Sequence, residues 1–256
     1  MKGARRIVSL APSITEILFA LGLGERVVGV TAMCNYPPEA QRKPKVGDAN
    51  ISPERVVALK PDLVVAHELL NGRVIPVLRR AGLRVLSANP NTFEKLFAFI
   101  RQIGEAAGVP DRAAQLVRQM QVRMQRVQQR VARIGSRPRV LFVISLEPLW
   151  ASGRGTFADD LIRRAGGLNA LASQMEGFHA VSLEAALASR PEVVVLAGPD
   201  RAALLNDPRW RRTPAVQRGR VYAVNPDLYL RESPRLIDAL EQMFVLLHPE
   251  AETKPR

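Results

Sequence analysis

The chain is 256 residues long, close to the length at which one hydrophobic core gives way to two. With 47% hydrophobic and 24% charged residues it has the balance of a soluble globular protein, and no apolar run reaches the roughly 18 residues that a membrane span needs. The net charge of +13 raises nucleic acid as a partner, but only 5% of residues are aromatic and the arginines are scattered over helix faces. No helix-turn-helix, zinc-finger or RNP pattern is present, so nucleic-acid binding is set aside.

In chain order, the basic start from Lys2 to Arg6 leads directly into a predicted strand, with no apolar stretch ending in a small-residue cleavage site. That leaves two readings, a mature chain without its export signal or a chain retained in the cytoplasm. Ile7-Val8-Ser9-Leu10 reads as the strand, and Ser13-Ile14-Thr15-Glu16 after Pro12 reads as a capping box opening a helix. From Ser52 to Ala66 the pattern is a Ser-capped helix, a proline stop at Pro61 and a continuous apolar strand of the kind covered on both faces. Arg84-Val85 followed by Asn89-Pro90 is a strand entering a turn.

The segment 111–134 contains neither Gly nor Pro and is bracketed by Pro110 and Gly135. Apolar residues at 113, 116, 117, 120, 124, 127, 131 and 134 make one helical stripe. Such a helix is roughly 35 Å long. Its other face carries Arg112, Arg118, Arg123, Arg126, Arg130 and Arg133, which predicts a solvated basic surface.

The second half then repeats the first. Arg139 to Ile144 is a strand, followed by a longer loop and a helix start at Thr156-Phe157-Ala158-Asp159. Ser182 to Leu196 has the register of Ser52 to Ala66. Arg220-Val221 and Asn225-Pro226 match Arg84-Val85 and Asn89-Pro90. Matched elements in one order predict an α/β fold of two Rossmann-like lobes with parallel sheets, 1–109 and 136–256, joined by a single long helix, 110–135.

In open α/β sheets ligands bind beyond the carboxyl ends of the strands. The loops there supply Ser13, Met33 through Tyr36, His67, Trp150 through Phe157, Phe178, His179 and Leu228 through Arg231. With aromatics scarce, Tyr36, Trp150, Phe178 and Tyr229 are the candidate apolar contacts, and a flat macrocycle needs such contacts with a few polar groups. Ser152-Gly153-Arg154-Gly155-Thr156 resembles an anion loop but lacks the Lys and the spacing of a phosphate-binding loop. Arg154 and Arg231 suit an anionic ligand. His67 is a candidate metal-centre ligand or hydrogen-bond donor. Enzyme signatures are missing: His67, His179 and His248 have no metal-ligand spacing, Cys34 has no assigned base, and neither a Gly-x-Ser-x-Gly elbow nor a dinucleotide fingerprint occurs.

Arg6 through Glu16, Tyr36-Pro37-Pro38, Val46-Gly47, Glu54 through Val65 and Ser233-Pro234-Arg235 together resemble the class III solute-binding proteins of ABC importers, most closely the cobalamin-binding branch. The resemblance covers nearly the whole chain. It implies a monomeric, extracytoplasmic, non-catalytic protein with no resident cofactor. Such a protein captures cobalamin or a related corrinoid in an inter-lobe cleft and delivers it to an ABC permease dimer with its ATPase subunits. A stiff helical spine implies modest flexing of the lobes. Permease docking falls by the motif match on Glu54 and Glu184, which hold the same place in the duplicated Ser-x-Glu unit. The ligand-binding set is Met33, Tyr36, His67, Trp150, Ser152, Gly153, Arg154, Phe178, Tyr229 and Arg231. Met33 and His67 stand where cobalamin binders often carry aromatics, and Gly47-Asp48-Ala49-Asn50 lacks the Tyr or His axial ligand typical of the haem branch. A ferric siderophore or haem is the alternative ligand, and a nucleotide-binding α/β enzyme is the more distant one.

Overall fold

The computed structural model describes residues 3–199 and 201–253. They form two compact units, one running through Met120 and including Glu232–Pro234, the other Gln121–Arg231 with the chain from Arg235 onward.

The first unit is built from β1 (Ile7–Ser9), α1 (Pro12–Ala20), β2 (Val27–Gly29), α2 (Pro53–Ala58), β3 (Leu63–His67), α3 (Glu68–Asn71), α4 (Ile75–Arg80), β4 (Val85–Ala88), α5 (Phe93–Ala106) and the first half of α6 (Pro110–Val131). Its sheet has the order β2-β1-β3-β4, and every pairing is parallel. All five residues of β3 are buried, as its apolar run predicts for a strand sandwiched between helix layers. Val8, Leu10, Val56, Val64, Ala66 and Leu78 form one buried cluster of this core.

The second unit takes the rest of α6, then β5 (Arg139–Leu146), β6 (Leu149–Ser152), α7 (Phe157–Arg164), β7 (Leu168–Asn169), β8 (Phe178–Ala180), α8 (Leu183–Ala188), β9 (Val193–Ala197), α9 (Arg201–Asn206), α10 (Pro214–Gln217), β10 (Val221–Val224), α11 (Pro226–Tyr229), α12 (Leu236–Leu247) and α13 (Glu250–Thr253). Its sheet has the order β10-β9-β5-β6-β8, with β7 also on β5. The β10, β9, β5 and β7 pairings are parallel, as expected, but β6 and β8 add an antiparallel ribbon where the sequence reading had only a long loop. Runs of three or four residues carry too little periodicity to be read as strands; their pairing partners define them. Among the described residues no helix is long and apolar enough to cross a membrane.

The duplication extends to individual hydrogen bonds. In the first unit the Arg6 guanidinium donates to the carbonyls of Leu59, at 2.7 Å, and Lys60, at 3.1 Å, just past α2, while Asp62 accepts from the Arg5 and Arg6 amides. In the second, Arg139 donates to the Ser189 carbonyl at 2.6 Å, just past α8, and Glu192 accepts from the Arg139 amide at 3.0 Å. A cation on helix C-terminal carbonyls is favoured by the exposed acceptors and the helix dipole.

Two local expectations are corrected. Ser13 and Glu16 form no capping box: α1 opens on Pro12 with Ala11 at the cap and no side-chain cap bond. Thr15 and Glu16 point inward instead, Thr15 Oγ1 donating to Ser9 Oγ at 2.8 Å and Glu16 accepting from Ser233 Oγ at 2.6 Å. The arginine face of α6 is also not uniformly solvated. Arg123 donates to Asp238 at 2.5 Å and to Glu241 at 2.6 and 2.9 Å, and Arg130 lies 4.2 Å from the Phe244 ring centroid. The Glu241 hydrogen bond, with Asp238 beside it, raises the Arg123 pKa above its ordinary value.

Candidate functional site

Parallel strands bring their carboxyl ends to one edge of the first unit's sheet, and the chain leaving that edge holds three of the expected ligand residues, Met33, Tyr36 and His67. After β2, Met33 and Tyr36 are 62% and 44% exposed, and between them Cys34 turns inward against Thr15 and Thr31, 3.1 Å from each hydroxyl. After β3, Leu69 and Leu70 of α3 are 74% and 64% exposed. The sequence reading missed these two leucines. A four-residue helix has no amphipathic period, so only the fold reveals that both are exposed.

His67 ends β3 and is buried, with neither ring nitrogen hydrogen-bonded among the described residues. Its amide donates to Asn71 Oδ1 at 2.8 Å, and Asn71 Nδ2 donates to the Leu10 carbonyl at 3.1 Å, which ties α3 to the end of the sheet. Glu232 Oε1 lies 3.7 Å from His67 Nε2. With the Ser233–Glu16 bond, this places two polar contacts between the 232–234 segment and the strand-end edge. Glu232 was not among the expected site residues, because nothing in its spacing links it to His67.

In the second unit, Trp150 on β6 is partly exposed and sits opposite Ala180 of β8, while Phe178 packs on Phe157 with ring centroids 5.3 Å apart. Ser152 and Gly153 are corrected as ligand contacts. Ser152 is fully buried with its hydroxyl 2.6 Å from Thr156 Oγ1. A Cβ on Gly153 would collide with the Met175 carbonyl oxygen, so the glycine permits close backbone approach there. The loop is not an anion site either. The Gly155 amide is spent on Asp159 Oδ2 at 3.3 Å, and the Thr156 hydroxyl caps α7 by accepting the Asp159 amide.

Arg154 is exposed and pairs with Glu176 at 3.3 Å. Arg231 is buried and committed to Asp227 at 2.6 Å, so it is no free cation for an anionic ligand. Tyr229 is wholly buried, with its hydroxyl unpaired among the described residues, and burial raises its pKa above the usual phenol value. Its role is packing beneath the surface rather than contact.

Glu54 and Glu184 each stand two residues past a capping serine, in the first turn of α2 and α8, and both are exposed. Ser52 Oγ accepts the Arg55 amide, and Ser182 Oγ accepts the Ala185 amide. Ser52 also donates to Glu54 Oε2 at 2.8 Å. Backbone hydrogen bonding first, then this hydroxyl, hold the Glu54 pKa below the ordinary carboxylate value. Among the described residues no three His, Cys, Asp or Glu side chains group as metal ligands.

The model of the family described as "periplasmic binding protein" matches residues 7–228. The chain is 36% identical to the uncharacterized ABC transporter substrate-binding lipoprotein YvrC of Bacillus subtilis strain 168, over 97% of this chain and 82% of that protein. The crystal structure of the periplasmic vitamin B12 binding protein BtuF of Vibrio cholerae is 28% identical, covering 99% of this chain and all of that one, with a TM-score of 0.87. The apo form of the periplasmic heme-binding protein RhuT from Roseiflexus sp. RS-1 is 32% identical, covering 97% and 100%, with a TM-score of 0.83.

Proposed function

Because this chain belongs to the periplasmic binding proteins, a family of transport components rather than enzymes, we propose that it is the extracytoplasmic capture component of an ABC importer and that its ligand is cobalamin or a related corrinoid. One observation supports the ligand class. The strand-end edge of the first unit exposes Met33, Tyr36, Leu69 and Leu70 beside a buried polar cluster of His67 and Glu232. Exposed large apolar side chains gathered at a strand-end edge suit a broad, flat, largely apolar ligand better than a small polar solute. Within the second unit, considered by itself, Trp150 and Phe178 are flat apolar side chains with partial exposure. Glu54 and Glu184 are the permease-docking carboxylates, a repeated pair that suits a permease of two equivalent subunits. The chain works as a monomer and hands its ligand to that permease and its ATPase subunits.

A second reading, haem, rests on His67. A buried imidazole with both nitrogens unpaired keeps a lone pair available for iron once Glu232 moves aside. Calorimetric and absorbance titrations with cyanocobalamin, haemin and ferric siderophores decide between the readings. Tight saturable cobalamin binding is the expected result. Haemin binding alone, abolished by His67→Ala, transfers the assignment to haem, and a response only to a ferric siderophore transfers it there. Failure of all of them overturns the ligand class.

A further inference from the structure

A concavity apart from the strand-end edge lies wholly within the second unit. It is a groove of about 1090 Å³ between the C-terminal part of α6, α12 and β10. Its walls carry Arg126, Arg130, Arg133 and Arg201, and its apolar lining includes Val127 and Val245. Arg126 and Arg133 pair with no carboxylate among the described residues. Among the described residues of its lining the one acid is Glu241, which is already bound to Arg123 at 2.6 Å, and four arginines stand against it.

Its remaining side is an open sheet edge, since β10 is terminal in the order β10-β9-β5-β6-β8. The Val194 amide donates to the Arg220 carbonyl, so in this parallel register Tyr222 and Val224 turn their backbone groups toward β9. Val221 and Ala223 turn theirs into the groove. The Val221 carbonyl accepts from Arg201 Nε at 2.6 Å, which fits that orientation. The Val221 and Ala223 amides and the Ala223 carbonyl have no partner among the described residues. An exposed edge of this kind is a template for strand addition.

We propose that this groove binds an extended acidic peptide segment of a partner protein, laid along β10 as an added strand with its carboxylates on the α6 arginines. In an extended chain alternate side chains share one face. A partner with acidic residues at alternate positions thus presents a row of carboxylates to Arg126 and Arg133. The proposal is independent of the ligand assignment.

The test is calorimetry of the full chain with a blocked peptide of alternating valine and glutamate, beside a proline–glutamate peptide of equal charge and phosphatidylglycerol vesicles. The Val–Glu peptide should bind saturably and more weakly as salt rises, and amide exchange at Val221 and Ala223 should slow on binding. Ala223→Pro removes one edge donor and should weaken binding about tenfold, as should Arg126→Glu with Arg133→Glu. If Ala223→Pro unfolds the chain, slowed exchange in the native protein carries the backbone part of the test. Equal binding of the proline–glutamate peptide, binding to vesicles alone, unchanged exchange at Val221 and Ala223, or no binding overturns the proposal.

Discussion

Lys60 and Arg190 hold the same left-handed backbone conformation, with φ of 45° and 48°, at the same point of the duplicated unit, between helix and proline. In each unit the residue just before, Leu59 or Ser189, has its carbonyl held by an arginine at the start of the neighbouring strand. The repeated turn is thus fixed by matched strain and matched hydrogen bonds. A Cβ in this region costs about 1–2 kcal/mol that glycine avoids, partly offset by the greater unfolded-state freedom of glycine. Lys60→Gly and Arg190→Gly should each leave stability equal or raise it by up to about 1 kcal/mol, whereas Lys60→Val should cost about 1–3 kcal/mol. Urea unfolding of the variants checks both signs.

Charge reversal at Glu54 and Glu184 together should abolish uptake through the permease without altering ligand affinity, because both side chains are exposed, each in the first turn of its helix. Uptake in cells and calorimetry on the purified chain separate these effects, and normal uptake would remove the docking assignment. Ser52→Ala and Ser182→Ala each delete a helix cap and should cost about 1 kcal/mol. Ser52→Ala also takes away a hydrogen bond that holds the Glu54 pKa down.

Leu69→Ser with Leu70→Ser should weaken ligand binding roughly tenfold, the loss expected from uncovering part of two leucines in a complex. Their exposure of 74% and 64% means that the thermal midpoint should hardly change. A large fall in stability with unchanged affinity would place them in the fold and not in the site.

His248 gives the second unit a defined response to acid. The ring is fully buried, its Nε2 lies 3.1 Å from the Ala165 carbonyl, and it packs 5.2 Å from the Phe244 ring centroid. Burial lowers its pKa, Arg220 adds to the shift, and the Ala165 carbonyl and Glu250 oppose it. The unfolded chain therefore takes up its proton first as pH falls through the ordinary histidine value of 6.5, and protonation favours unfolding. Stability should be full above that value and decline below it until the folded ring itself titrates. His248→Gln should flatten this part of the curve in thermal melts between about pH 7 and 5.

Much of the fold was legible because it rests on local signals. Ser52, Ser182 and Thr156 cap helices as read, Pro61 and Pro191 follow short helices as stops, and the Val-rich runs 63–67 and 193–197 are buried strands. The stripe from Ala113 to Val131 became the buried and half-buried face of α6. The antiparallel ribbon of β6 and β8 was not legible, since a strand of three residues is specified by its partner and not by its own pattern.

By itself, then, the sequence determined the α/β class, the duplication, the long helix and the position of Glu54 and Glu184, all properties of residues near one another in the chain. Only the tertiary structure decided which residues near the strand ends face solvent. It exposed Leu69 and Leu70, buried Tyr229, sealed Ser152 against Thr156 and committed Arg231 to Asp227. It also set Glu232 beside His67. The physical reason is that burial and long-range pairing depend on which elements pack together, and a loop carries no periodicity from which that packing can be read.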